Sequence, residues 1–300
     1  MSSPSTLLLR IGGPLQAWGD QSRFERRTTR PEPTKSGILG LVAAAQGRSR
    51  EDDLTDLGVL AYGVRTEQEG RLVRDYQTAQ RPDSVLGKGW ANPKLSYRYY
   101  LADALFLVGI QGDRALLEGI AEAVRSPEFP LYLGRRACPP TLPIVFDRYD
   151  GEPREAIVDG DVKTVLQREP WIAAEWYRRK QGPRVSLRLI RDAVGDDRVD
   201  ETVRDVPLSF SPERRTYVWR NVVHDKVEKD NPDAWSVRSL APTNDPAAGV
   251  TGGAPAEAKP RRAVRGASKD AGSYAKATTV VSDDLASLAF TDDHDPMNEL

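Results

Sequence analysis

Residues 6–11, Thr-Leu-Leu-Leu-Arg-Ile, and residues 34–45, Thr-Lys-Ser-Gly-Ile-Leu-Gly-Leu-Val-Ala-Ala-Ala, set the frame for the rest of the chain. In the first, Leu7, Leu9 and Ile11 alternate as on one face of a strand. In the second, Ile38, Leu41, Val42 and Ala45 fall at i, i+3, i+4 and i+7, the period of a helix face. Outward from this strand–helix pair, Ser49 can cap a second short helix carrying Leu54, Leu57 and Ala61, with Glu51, Asp52 and Asp53 against its positive end. Tyr62–Thr66 and Leu72–Thr78 read as strands around the Glu69-Gly70 turn. A buried strand at Leu105–Ile110 and a helix with Leu117, Ile120, Ala121 and Val124 on one stripe follow. The order strand, helix, strand, strand, strand, helix predicts an α+β chain with a ferredoxin-like unit over residues 1–130.

Between Thr78 and Pro93 lie Pro82, Gly87, Gly89 and Pro93, too irregular for an element and long for a loop. Such insertions are usually functional or disordered. From Leu131 to His224 the signals are short and β-rich: Val185, Leu187 and Leu189 alternate, as do Val206, Leu208 and Phe210. This part reads as a smaller β-rich continuation over 131–224. Residues 225–300 contain 11 Leu, Ile, Val and Phe together, against six Pro and five Gly, a composition that predicts a largely disordered tail. Within it stand a basic cluster at Lys259, Arg261, Arg262 and Arg265 and an acidic stretch from Asp283 to Asp295, where Leu285, Leu288 and Phe290 are spaced like a short recognition helix.

The 300 residues balance 43 Lys and Arg against 44 Asp and Glu, so affinity for a polyanion has to come from local patches. Cys138 is the one cysteine, and the histidines are His224 and His294. No Cys/His zinc cluster can be assembled from this set, and neither a cofactor motif nor a membrane span is expected. Catalysis in the first 220 residues would have to use carboxylates, Lys, Tyr or Ser. A soluble, cytoplasmic, non-catalytic protein is the expectation.

Three basic stretches are candidates for phosphate. Arg23, Arg26, Arg27, Arg30 and Lys35 precede a helix N-terminus at Lys35, Ser36 and Gly37, whose backbone N–H groups are unpaired in an isolated helix. Tyr132-Leu133-Gly134-Arg135-Arg136 offers close backbone approach followed by two arginines. In the long loop, Arg81, Lys88, Trp90, Lys94 and Arg98 interleave charge with an aromatic ring, as single-strand binding often requires. For the first the competing reading is a solvated loop, the second is a weak motif by itself, and for the third the competing reading is a mobile surface loop whose Trp90 packs on its own domain.

Gly13-Pro14-Leu15-Gln16-Ala17-Trp18-Gly19, Pro33–Leu41, Arg74-Asp75-Tyr76-Gln77-Thr78 and Tyr132–Pro139 occur in an order and spacing that resembles the CasD subunits of type I-E CRISPR Cascade complexes, within the repeat-associated RNA-binding protein superfamily. The likeness covers residues 6 to about 224. It implies a modified ferredoxin-like or RNA-recognition fold with a long thumb hairpin, here Ala79–Arg98. It also implies a protein that holds the 5′ handle of mature CRISPR RNA and caps the Cascade backbone. The implied partners are the CasC backbone subunit, the large CasA subunit and, indirectly through the complex, target DNA. Implied RNA-binding residues are Gln16, Trp18, Arg26, Arg27, Lys35, Ser36, Gly37, Tyr76, Thr78, Arg81, Lys88, Trp90, Arg98, Arg135 and Arg136. One departure bears on chemistry. Gln77 stands where the family often has histidine, and a related branch cuts precursor RNA with Tyr, Lys and His. This lowers the endoribonuclease reading; a structural adaptor without RNA contact is the other competitor. No strand carries the Arg/Lys-Gly-aromatic run that stacks bases on a sheet, so loops and the helix N-terminus are expected to hold RNA.

Overall fold

Strand β1 (Ser5–Gly12) is the seam on which the molecule is built: Leu7, Leu9 and Ile11 enter one hydrophobic core and Leu8 enters a second on the opposite face of the sheet. The run of three leucines is therefore buried on both sides rather than alternating with solvent. The computed structural model describes residues 4–19, 26–79, 94–211 and 213–234. After β1 come β2 (Leu15–Gln16), β3 (Arg26–Arg27), α1 (Lys35–Ala45), α2 (Thr55–Gly58), β4 (Ala61–Gln68), β5 (Arg71–Ala79), β6 (Lys94–Ala102), β7 (Leu105–Gly112) and α3 (Arg114–Arg125). The second half adds β8 (Arg148–Tyr149), β9 (Glu152–Pro153), β10 (Ile157–Asp159), α4 (Val162–Arg168), α5 (Glu175–Arg178), β11 (Arg184–Asp192), β12 (Glu201–Ser209) and β13 (Thr216–Asp230).

Seven strands form one sheet in the order β10-β1-β7-β4-β11-β13-β12, with every neighbouring pair antiparallel. The chain is thus α+β, with few helices and mainly antiparallel sheet. Helices α1 and α3 cover one face. Leu117, Ile120, Ala121 and Val124 of α3 and Ile38, Leu41, Val42 and Ala45 of α1, the residues singled out by periodicity, all lie in that core. On the other face α4 packs through Val162, Val165 and Leu166. It sits close because Gly63 of β4 and Gly109 of β7 are direct partners across the sheet. A Cβ on either would come within 2.9 Å of Val162 Cγ2.

The strands after α4 extend the first-half sheet instead of forming a layer of their own, because β11 pairs with β4 as well as with β13. The two strands read around Glu69-Gly70 are present as β4 and β5, yet they part: β5 leaves for a second sheet, β2-β6-β3, where it pairs along the whole of β6.

Three sequence expectations are corrected locally. Ser49 does not cap a helix reaching Ala61: its hydroxyl and N–H go to Asp52, Asp53 bonds Thr55, and α2 lasts one turn before Ala61 opens β4. The alternation Val206, Leu208, Phe210 is broken by bulges between Arg204 and Val206 and between Pro207 and Ser209. Val203 and Val206 are buried while Leu208 is 51% exposed. The boundary expected after residue 224 falls inside β13, whose residues 225–230 pair with 184–189 of β11. The loop over 80–93 and the tail from 235 onward, including the basic and acidic clusters there, lie outside the described residues.

Candidate nucleic-acid interface

Pairing register builds the candidate surface. On one face of the β5–β6 ribbon Arg74 lies across from Tyr99, Tyr76 from Tyr97, and Thr78 from Leu95. Strand β3 runs parallel to β6 on its other side and sets Arg26 beside Tyr97. The Arg26 guanidinium lies 5.9 Å from the Tyr99 ring and donates to the Tyr99 hydroxyl at 3.3 Å. Arg74 lies 5.4 Å from the Tyr97 ring, and the rings of Tyr76 and Tyr97 are 5.4 Å apart. Tyr76 is 53% and Tyr97 38% exposed. Charge and π-faces therefore stand together in solvent, the arrangement that grips a single strand by phosphate and by stacking. Tyr97 and Tyr99 were missed from sequence. The alternation Leu95, Tyr97, Tyr99 is the available signal; it lies past the irregular stretch Thr78–Pro93, at the end of the segment assigned to the thumb and just beyond it.

The opposite face of the same ribbon holds Asp75 across from Arg98, with Arg27 beside Arg98. Gln77, at the family's histidine position, donates to Asp75 at 2.6 Å. Arg27 is exposed and Arg98 half-buried. Arg81, Lys88 and Trp90 lie outside the described residues.

Several other expected contacts are occupied inside the protein. Gln16 and Trp18 are buried, the indole N–H donating to Gln16 Oε1 at 3.1 Å and the Gln16 amide to the Ala104 carbonyl at 2.7 Å. Gly37 lets the Trp18 ring lie against α1, since a Cβ there would meet the ring at 2.9 Å. These residues brace β2 and α1. Trp18 is not a stacking platform.

Lys35 is likewise withdrawn. Its side chain is buried and Nζ donates to Asp192 at 3.1 Å, while its backbone N–H donates to Asp205 Oδ2 at 2.9 Å. Thr34 caps the helix by accepting from the Gly37 N–H, and its hydroxyl also contacts that of half-buried Ser36. The helix N-terminus expected to bind phosphate is filled by the chain's own carboxylate and hydroxyl. Arg220 completes the network with bonds to Asp192 and both oxygens of Asp205, and packs over Tyr62 at 5.2 Å. Burial opposes the charged Arg220, but the two aspartates outweigh it and hold its pKa above the ordinary value. Nearby, burial pushes Glu32 up against the charges of Arg30 and Arg188. The cavity beside these groups, about 10 Å³, has room for about one water and no nucleotide.

The glycine–arginine turn divides between two roles. Gly134 has φ +84°, and a Cβ there would stand 1.7 Å from the Ala17 carbonyl oxygen, so only glycine fits. Arg135 reaches back to the Tyr99 carbonyl at 3.0 Å and the Arg27 and Thr28 carbonyls at 2.8 and 3.3 Å, with its guanidinium 4.7 Å from the Tyr100 ring. It ties the turn to β3 and β6. Arg136 is exposed and free of such bonds.

Three of the residues considered for RNA cleavage, Tyr76, Lys35 and His224, each contact a different neighbour. Tyr76 is on the ribbon against Tyr97, Lys35 is buried on Asp192, and His224 on β13 faces Glu201 at 3.2 Å.

Comparison with known proteins agrees with this architecture. The family described as CRISPR-associated protein (Cas_Cas5) matches residues 6–223. The "CRISPR system Cascade subunit CasD" of Escherichia coli (strain K12) is 32% identical over 222 residues, covering 61% of this chain and 99% of that protein. A crystal structure of a Cas protein is similar with 35% identity and TM-score 0.54, covering 76% of this chain and 97% of its own. A chain of a CRISPR RNA-guided surveillance complex is similar with 30% identity and TM-score 0.61, covering 75% and 91%. On the extent of that match, the chain belongs to the CRISPR-associated protein (Cas_Cas5) family.

Proposed function

We propose that the chain is a non-catalytic RNA-binding subunit of a type I-E Cascade complex, holding the repeat-derived 5′ handle of CRISPR RNA and capping one end of the backbone. The observation that carries this reading is the face of exposed Arg26, Arg74, Tyr76 and Tyr97 with half-buried Tyr99 on the β3–β6–β5 sheet. Membership of the surveillance complex follows from the relatives; CasC and CasA as neighbours, and target DNA through them, are part of the proposal. The β10-β1-β7-β4 order with α1 and α3 on one face supports a ferredoxin-like unit, the first strand lying between the fourth and third. The β5–β6 ribbon supports a thumb: nine paired positions form its stem.

Arg26, Arg74 and exposed Arg136 supply phosphate contacts, and Tyr76 and Tyr97 stack on bases. Lys35, Ser36, Gly37, Gln16, Trp18 and Arg135 act by holding the scaffold. Fluorescence anisotropy with labelled cognate handle RNA tests this. Tyr76→Ala and Tyr97→Ala each cost about 1–3 kcal/mol, roughly 5- to 150-fold in Kd. Arg26→Ala and Arg74→Ala each lower the slope of log K against log salt by about 0.7. Unchanged affinity and slope across all four would point to the adaptor reading. Specific cleavage of repeat RNA that vanished in Tyr76→Phe would make the protein a ribonuclease.

A further inference from the structure

The seven-stranded sheet is split between β4 and β11. β13 pairs with β11 from Arg184 to Asp192, whereas β4 meets it only at Leu189, Ile190 and Arg191. The cause lies in β4. Its pairing with β7 shifts register between Thr66 and Gln68, and Glu67 there is pulled toward the 166–172 loop. The Trp171 indole donates to the Glu67 carbonyl at 2.7 Å, the Ile172 N–H to its carboxylate at 3.0 Å, and Arg65 to the carbonyls of Leu166, Glu169 and Pro170. The β4 edge is held away, and among the described residues no strand lies beside one backbone edge of residues 184–188 of β11.

A groove of about 350 Å³ fills the opening, within the range of about 300–1,000 Å³ for ligand clefts. Its walls differ by face. Val185 and Leu187 point to the side of Trp171 and Tyr177, which is apolar; Arg184, Ser186 and Arg188 point to the other. Arg184 is 73% exposed with Asp230 at 3.4 Å, and Arg188 is 42% exposed with Glu69 at 3.9 Å across the split. Arg188 Nε has no hydrogen-bond partner.

We propose that this groove binds an extended acidic segment of a protein partner as an added strand on β11, reading the pattern acid–apolar–any–apolar–acid. Unpaired backbone N–H and C=O groups require partners, and strand addition supplies them along the edge. Arg184 and Arg188 lie four residues apart on one face, about 13 Å at about 3.3 Å per residue, so carboxylates five positions inclusive along the added strand meet both. The two apolar residues between them face Trp171 and Tyr177. The carboxylate at Arg188 takes the place of Glu69. The site belongs to the seven-stranded sheet and is separate from the arginine–tyrosine face, so its test is independent of RNA binding.

The probe is a fluorescein-labelled peptide Glu-Val-Thr-Val-Glu with glycine flanks, added to the full chain. Anisotropy should show it binding at least tenfold tighter than Lys-Val-Thr-Val-Lys, and hydrogen exchange should show added protection over residues 184–188. Arg184→Glu/Arg188→Glu, at an exposed and a half-buried position, should invert the preference, and Glu69→Gln should tighten the acidic peptide several-fold. Equal binding of a backbone N-methylated peptide would overturn strand addition, and indifference to the charge swap would overturn the acidic pattern. Protection of the same amides by a poly-uridine RNA that displaces the peptide would overturn the assignment in favour of nucleic acid.

Discussion

Replacing Arg135 by alanine separates a scaffold role from a phosphate role more sharply than any other single change. Two good bonds from the guanidinium, to the Tyr99 carbonyl at 3.0 Å and the Arg27 carbonyl at 2.8 Å, each contribute about 1.5 kcal/mol at the low end for a charged donor. The third, to Thr28 at 3.3 Å, shares the Nη2 group with the second and adds little. The cation–π contact with Tyr100 adds about 0.5–1 kcal/mol at this half-buried site, and water recovers part of the exposed carbonyls' bonding. The net loss is about 3 kcal/mol, or about 6–12 °C in Tm for a domain of this size. Urea denaturation followed by circular dichroism reads it directly. Arg136→Ala should stay within about 0.5 kcal/mol of the parent and instead weaken handle RNA binding. Arg135→Lys keeps the charge but not the fork, so it should recover less than half of the loss. An Arg135→Ala protein with the parent's urea midpoint and a salt slope reduced by about 0.7 would show that this guanidinium faces phosphate, and the scaffold argument would fail.

Lys35→Met should destabilise by about 3 kcal/mol, the low end for breaking a buried pair, because Asp192 keeps Arg220 as a partner; the salt slope of RNA binding by the folded protein should not move. Ending the chain at residue 224 should lower the urea midpoint sharply by removing the β13 segment paired with Arg184–Leu189, whereas ending it at 237 should not. Asp197 is held below the ordinary aspartate range by hydrogen bonds from Arg191 and the Val194 N–H. Its folded pKa is depressed, so its contribution is present above about pH 4 and lost as pH falls below that. Asp197→Asn should flatten the acid limb of stability against pH, and an unchanged limb would count against the pair.

Local pattern carried the sequence reading where burial follows a period. The stripes of α1 and α3 and the strand β1 are set by neighbours within a few residues. Charge does not obey that rule. Lys35 and Arg135 look like phosphate ligands because a sequence displays their charge and not their partners. Asp192 and Asp205 stand 157 and 170 residues from Lys35, and the Arg135 carbonyls more than 30 residues away. The split of the sheet at Glu67 was equally hidden, since it depends on a bulge and on a loop 100 residues later.

A shared family motif is silent on which of its members touch a ligand. In Tyr132–Pro139 the glycine is required by a positive φ against the Ala17 carbonyl, and the first arginine by the carbonyls of Arg27, Thr28 and Tyr99. Only the second arginine is left facing solvent. On the ribbon the reverse holds. Tyr97 and Tyr99 belong to none of the motifs that identified the family, yet their register with Tyr76 and Arg74 makes the exposed aromatic–basic face. A recognition surface set by strand register can keep its chemistry while its residues drift between adjacent paired positions, because Arg and Tyr exchanged across the same pair present the same charge and ring to a strand lying over both. A turn closed by Gly134 and Arg135 has no such freedom. That difference is why Tyr132–Pro139 reports mainly scaffold geometry, while the ribbon, the Arg74–Thr78 motif included, carries most of the proposed contacts.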